Sequence, residues 1–484
     1  MKSYSIFSKL CNAFLLYRVN LYDNKYAITM RTSILIGALL IQTALFSQEH
    51  FAGLTTSSRS GIITSGMNPA ELANLSTKYE VNILGVSFNV ANNKIGFSDL
   101  TSDSKIENLI WEGDEPVNMR FDAEVYGPSF AMKYNKWAFG LTTKANGQLD
   151  VVDVDTRLGD AVSNSGLNLL TASTFLNNSG NQRIIGTTWG EIDLTAARTL
   201  FENSVHKLNG GIALKLLFPG SYANLGAGQF TGTISQSLGQ AYLTDANANV
   251  NIAYSGTLAN SFSNFDDYAK SVFGGLNGFA TDFGINYQWK DEDTADDGKL
   301  STSRPKLSAG IAFRNMGSMT FKDSNNNSTN YKLEIQGSEA LNLNQFENVD
   351  NLQEIETILL NSGYLTKQSG SKDFKVVLPT TFSIYADVKI IPVLHVAAFL
   401  QQRMKDDNEN DQITAQNIFT LTPRVYLGSF EAYLPVSNSD VSGFNTGIGF
   451  QYRGFYIGSG SIITALINDS KQADAYVGFR WGFL

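Results

Sequence analysis

Little in this sequence is equipped for covalent chemistry. It has one cysteine, Cys11, and three histidines, His50, His206 and His395. That excludes a disulfide framework and a cysteine-ligated metal, and it leaves little for a histidine-rich centre. No Gly-x-Ser-x-Gly element is present, and Gly226, Gly228 and Gly232 miss the dinucleotide-binding spacing. The run Asp291-Glu292-Asp293-Thr294-Ala295-Asp296-Asp297-Gly298 is as acidic as a calcium loop. Yet Ala295 stands at a ligand position and Arg304 at that of the closing glutamate. This run and Asp406-Asp407-Asn408-Glu409-Asn410-Asp411 read as solvated loops; the other reading of the second is a loose divalent bridge to lipopolysaccharide phosphates. The expectation is a protein with no catalytic residues, no metal and no cofactor.

What remains is a set of polar residues spaced by two. Glu191 and Asp193 alternate with Ile192, Leu194 and Ala196. Lys207 and Lys215 share one parity on a stretch whose other face is Leu208, Ile212, Leu214 and Leu216. Asp387 lies between Ala386 and Val388, and His395 between Leu394 and Val396. Period-two alternation marks β-strands and puts all of these on a polar face. Antiparallel pairing across a short turn at 202–205 sets Asp193 opposite Lys215, an ion pair that either braces a wall or lies on a ligand's path. His395 reads as a structural donor sooner than as a general base. His206 falls at the turn itself.

The same alternation fills most of the chain, as in Phe279, Thr281, Phe283, Ile285, Tyr287 and Trp289 against Asp282, Gly284, Asn286 and Gln288. The apolar face is aromatic. The polar face is Gly, Asn, Ser, Thr and Ala, without the Lys and Glu that a solvent-facing sheet carries. Charged residues are only 17% of the chain, against about 25% in ordinary soluble proteins. These features fit a transmembrane barrel with lipid outside and a polar lumen. A net charge of −9 argues against nucleic acid as a partner.

At the amino terminus Met30-Arg31 precedes an uncharged stretch from Thr32 to Phe46, then Ser47. This is the layout of a secretory signal peptide, too short for a spanning helix of about 20 residues. The expected organisation is an upstream start extension at 1–29, the signal peptide at 30–47, a plug segment at 48–78 and the barrel at 79–484. Sixteen segments read as strands, among them 246–256, 279–290, 306–316 and 319–336. Turns at Asn135, 202–205, Met316–Ser318, Ile390–Pro392, Gly428–Ser429 and Arg453 are short. Connections at 91–119, 148–188, 219–244, 291–305, 337–375 and 404–415 are long, and long loops face outward in outer-membrane barrels. The stretch 257–278 falls on the short-turn side. Either it is a short helix there, or a strand pair is miscounted and the number is fourteen. Helices are expected in outer loops at 155–177 and 344–361. Trp137, Trp289 and Trp481, near strand ends on the apolar face, are expected in two interfacial girdles.

Before the first strand comes Ser65-Gly66-Met67-Asn68-Pro69-Ala70-Glu71-Leu72. Its Asn68, Pro69 and Ala70 resemble the corresponding element of the FadL-type outer-membrane transport family and of its relatives that serve type IX secretion. Leu378-Pro379 opening a strand, and the aromatic closing strand, are similar too. The resemblance implies fourteen strands, an amino-terminal plug folded into the lumen, and either passage of hydrophobic molecules or partnership with secreted proteins. Read without it, Asn68-Pro69 is an ordinary turn.

The sequence thus predicts an all-β fold: an integral outer-membrane antiparallel β-barrel of fourteen to sixteen strands. Its partners are outer-membrane lipid and lipopolysaccharide. It binds or passively passes a hydrophobic small molecule; the alternative is a non-transporting partner of secreted or surface-attached proteins. A transporter needs an apolar pocket beside the plug, whereas a scaffold can have a packed lumen and large outer loops.

Overall fold

The computed structural model describes residues 50–99, 106–163, 173–259, 274–290, 304–322, 326–467 and 469–483. The expected upstream extension and signal peptide lie outside these residues. Among the described residues fourteen wall strands follow one another, several of them interrupted: β1 (Tyr79–Asn92), β2 (Val117–Tyr126 and Ser129–Tyr134), β3 (Trp137–Val154), β4 (Ser173–Glu202), β5 (His206–Ser237), β6 (Gln240–Ser255 and Gly278–Trp289), β7 (Leu307–Phe321 and Asn327–Glu334), β8 (Leu365–Ser371, Phe374–Val377 and Thr381–Ile391), β9 (Leu394–Arg403), β10 (Ile418–Leu427), β11 (Phe430–Tyr433 and Val436–Ser439), β12 (Gly443–Thr446 and Ile448–Tyr452), β13 (Phe455–Ser459) and β14 (Gln472–Phe483). Each pairs antiparallel with the next. β14 returns to β1, with Phe483 opposite Tyr79, so the ring has no open edge.

The sixteen expected segments become fourteen because two wall strands are interrupted, not ended. Segments 246–256 and 279–290 pair with the outer and inner halves of the same strand, β5, so they are one line with 256–277 inserted into it. Segments 306–316 and 319–336 are also one. Met316–Ser318, expected as a turn, is paired strand, with Gly317 opposite Ala280. The turn-like residues there make a bulge: Asn315 has φ 58°, and the register slips between Thr281 and Phe283. The connection 291–305, expected outside, joins Trp289 to Leu307 at the short-turn end, where His206 pairs with Trp289. Its acidic run lies outside the described residues. The true short turns close as two-residue hairpins at Asn135, Gly428 and Arg453, with φ of 54°, 61° and 53°, the left-handed start that a type I′ turn needs.

Side chains divide by parity. Phe88, Leu141, Leu194, Phe283, Ile384 and Phe479 point outward and are exposed, while Glu191, Lys215, Asn286, His395 and Arg424 point inward and are buried. A closed ring with an apolar outer face and a polar interior is the strand-built solution to crossing a bilayer, because every backbone group is satisfied within the ring. Trp137 opens β3, Trp289 closes β6 and Trp481 pairs with Val81 near the start of β1. All three therefore sit at the short-turn end, in one girdle and not two. Arg198 and Lys306 cover the Trp137 and Trp289 rings at 5.0 and 5.5 Å.

The β3–β4 pairing ends at Val152 opposite Arg183. Past that level β4 to β8 continue as an outer head. Most of the expected loops 148–188 and 219–244 are strand here. Helices α1 (Thr156–Ser163) and α2 (Leu352–Asn361) pack on this sheet around Leu176, Phe230, Ile234, Ile252, Leu333 and Leu352. The expected helix at 155–177 ends at Ser163, and Ser173 is already strand. On α2, the buried Glu356 accepts hydrogen bonds from Tyr254 (2.9 Å), Asn327 (3.1 Å) and Tyr331. Replacing it with alanine leaves two phenols and an amide without their acceptor. Glu356→Ala is expected to weaken the head by about 3 kcal/mol, read as faster protease cleavage within 327–371 on intact vesicles while the wall strands stay resistant.

Candidate functional site

Residues 50–75 run inside the ring. They include two 3₁₀ turns, Gly61–Gly66 and Pro69–Asn74. Asn68 is extended and caps the second turn. Its Oδ1 accepts from Ala70 N at 2.9 Å, and its Nδ2 donates to Ile285 O (3.0 Å) and Tyr385 Oη (3.2 Å). Pro69 follows at the first position, where no N–H is needed. The turn can come this close because two glycines face it. Gly211 and Gly284 are cross-strand partners. A Cβ on Gly211 would lie 2.4 Å from Ala70 N, and one on Gly284 would lie 1.9 Å from Asn68 Oδ1.

The rest of the segment reaches the wall on every side. Phe51 packs among Tyr126, Tyr456 and Tyr476 with ring centres 5.6, 6.0 and 5.7 Å away. Ile62 N donates to Glu80 (2.7 Å), Arg314 to Gly66 O (2.9 Å) and Arg424 to Gly53 O (3.1 Å). The Glu71 carboxylate accepts from Asn74 and Asn286, each at 2.7 Å, and from Tyr385. Burial pushes the Glu71 carboxyl above its ordinary range, with the bonds from Tyr385 and Asn74 pulling the other way.

Above this segment lies a cavity of about 160 Å³. Phe51, Ile63 and Met67 form one side of it, and its wall is Arg120, Asp122, Tyr126, Lys144, Glu191, Lys215 and Arg314. Its roof is Thr414, Ala415 and Gln416. These belong to the connection 404–417, of which 404–415 is expected as an outer loop and its acidic run, 406–411, as solvated. Asp406, Asn408, Glu409 and Asp411 are indeed exposed, but Gln412 to Gln416 are buried. The fully buried Arg183 draws the loop in, donating to the carbonyls of Asp407 (2.6 Å), Asn410 (3.3 Å) and Gln412 (3.0 Å). Burial also pushes the Asp407 carboxyl up to about 6, against the pull of Arg403 and Arg120.

The charged residues of the wall form a network. Asp193 is directly opposite Lys215, as the short turn requires. The Lys215 ammonium, however, turns away from it. It lies 3.1 Å from Asp282 and 3.7 Å from Glu191, and donates to Asn315 Oδ1 at 2.6 Å. Asp193 pairs instead with Lys144 at 3.5 Å. The β7 bulge is the reason: it turns Asn315 inward, where its N–H also donates to Asp282 (2.6 Å). Asp282 and Lys144 share the polar parity of their strands and were legible as lumen residues. Asn315 was hidden because alternation along the expected strand 306–316 puts it on the lipid face, and only the bulge turns it inward.

His395 and Asp387 do meet, Nδ1 to Oδ1 at 3.0 Å, with the imidazole edge-on to Tyr426. Asp387 is 3.8 Å from Arg424, which pairs with Glu431 (3.4 Å), and Glu431 accepts from Ser57 (2.9 Å). The chain of contacts ends on the amino-terminal segment. His206 lies at the short-turn rim, bonded to Tyr287 at 2.7 Å. Chemically the chamber sets charges and amides of the wall against the apolar side chains Phe51, Ile63 and Met67, with room for water or a small solute.

Among known proteins, the family model described as a family of unknown function, DUF5723, matches residues 69–460. No curated protein matches. Solved structures similar to this chain include a mutant of the monoaromatic hydrocarbon channel TodX (11% identity, 88% of this chain and 95% of that one, TM-score 0.45). Others are the Ralstonia pickettii toluene transporter TbuX (10%, 88% and 95%, 0.39) and a Pseudomonas aeruginosa FadL homologue (9%, 90% and 98%, 0.40). The described residues form fourteen wall strands around an inward-folded segment, 50–75, with an apolar face outside, which is the architecture of a transmembrane β-barrel.

Two expectations follow from this geometry. Gly211→Val should evict the Asn68-Pro69-Ala70 turn while leaving the ring intact; residues 50–75 then become protease-sensitive in a barrel whose heat-modifiable gel mobility is unchanged. Lys215→Met should cost about 3–5 kcal/mol, because it leaves buried carboxylates uncompensated. In double-mutant cycles on barrel unfolding, the coupling of Lys215 to Asp282 should exceed its coupling to Asp193.

Proposed function

We propose that this chain, which belongs to the family of unknown function DUF5723, is a gated outer-membrane conduit that takes a small polar solute into its lumen chamber. The observation that carries the reading is the chamber's lining. Arg120, Lys144, Glu191 and Lys215 face a space bounded on one side by the amino-terminal segment and on the other by loop 404–417. A hydrophobic molecule there would strip water from charged groups and give no hydrogen bonds back, at a cost of several kcal/mol. A solute with donors and acceptors replaces that water. A hydrophobic ligand, the other expectation, would fit the apolar pocket of about 410 Å³ beside Ile285, Ile311, Ile384 and Tyr385 better than this chamber.

A second reading, a scaffold for secreted or surface proteins, is favoured by one observation: the outer head has its own apolar core around α1 and α2 and needs no ligand to be folded. Liposome swelling separates the two readings. Proteoliposomes holding the barrel should swell in isosmotic glycine or arabinose, and Asn146→Trp, which fills the chamber, should slow this several-fold. Absence of swelling with either solute would remove the conduit reading and leave the scaffold.

A further inference from the structure

Loop 404–417 separates two cavities. On its inner side is the chamber already described. On its outer side is a vestibule of about 190 Å³ bordered by Asn118, Asp153, Arg403, Asp407 and Asp440. Arg120, Thr414 and Gln416 line both. The partition is thus about one side chain thick. Gln148 donates to Thr414 Oγ1 (2.7 Å), Thr414 contacts Asp150, and the Arg120 guanidinium reaches Thr414 O at 3.4 Å while held by Asp122 (3.0 Å) and Asp150 (3.6 Å).

The loop that makes this partition is not part of the ring. β9 and β10 pair directly up to Gln401 opposite Ile418, below the loop. Among the described residues its strand-like pairing is a single bridge, Gln412 to Val377. It is held otherwise by side chains from other strands: Arg183 and Tyr222 on its carbonyls, and Ile413 seated in an apolar socket with Tyr222, Met319 and Phe374. Such a loop can leave without opening a strand pair, and leaving joins vestibule to chamber.

We infer that loop 404–417 is the outer gate of this lumen and that Arg120 is the specificity-determining residue at the constriction it closes. With the gate open, Arg120 is the cation flanked by Asp122 and Asp150 on the path, so its charge weighs on which ions cross. This rests on the conduit reading.

The test uses the fact that Cys11 is the one cysteine in the sequence. A Cβ at Gly226 would lie 3.0 Å from Asn410 Cγ, close enough for Gly226→Cys with Asn410→Cys to form a disulfide that pins the loop. In proteoliposomes with glycine, the oxidised pair should swell at least ten-fold more slowly than the reduced pair, and a barrel with 405–416 replaced by a short Gly-Ser turn should swell faster than wild type. Equal swelling of oxidised and reduced forms, in a barrel that does swell, overturns the gate alone. No swelling even with the loop replaced overturns gate and conduit together. In planar bilayers with a KCl gradient, Arg120→Gln in the loop-replaced barrel should shift the reversal potential toward cation preference, and Asp150→Asn toward anion preference. Unchanged potentials in both variants would overturn the role of Arg120.

Discussion

A strand that crosses a bilayer cannot leave backbone groups unpaired, because hydrocarbon offers them no partner. Every other feature of this protein follows from that constraint. It forces β14 back onto β1, and closing the ring turns one face of each strand to lipid and the other to the inside. Fourteen strands enclose more volume than their own side chains fill. The interior must then be water, protein or both. Here it is mostly protein, and the polar face of the sheet is written to suit it.

The filling comes from both ends of the barrel. The amino-terminal segment enters from the short-turn end and rests on a pair of glycines. Loop 404–417 enters from the other side and is held by its carbonyls. Between them lie buried charges that are costly singly and tolerable only as a set. Lys215 serves Asp282, Glu191 and Asn315 at once, and Arg424 links the wall to the segment. The consequence is a lumen whose permeability depends on which parts of its filling can move. The loop is fastened by hydrogen bonds to side chains, one backbone bridge to Val377 and the seated Ile413, whereas the ring is fastened by continuous backbone ladders.

What could be read from the sequence tracks where lipid imposes order. Within the membrane the alternation is strict, so the barrel, the lumen parity of Glu191, Asp193, Lys215, Asp387 and His395, and the register that sets Asp193 opposite Lys215 were all legible. Outside the membrane the alternation lapses. Asn177-Asn178-Ser179-Gly180 in β4 reads as loop but is strand, because neither face there meets lipid. Interruptions misled the count for a related reason. Asn315-Met316-Gly317-Ser318 has the composition of a turn, and the bulge it makes is visible only through its pairing. The infolding of loop 404–417 was hidden because half of it, the acidic half, is solvated as its composition says, while the buried half is held by Arg183, more than two hundred residues away in sequence.

The central claim is that the lumen is closed by chain and not left as an open pore. Hydrogen–deuterium exchange of the refolded barrel in nanodiscs addresses it directly. The account requires that amides of residues 61–75 and 412–416 exchange far more slowly than an unstructured peptide, with 412–416 faster than the wall strands. Exchange of either stretch within seconds, at the rate of an unstructured peptide, would contradict it.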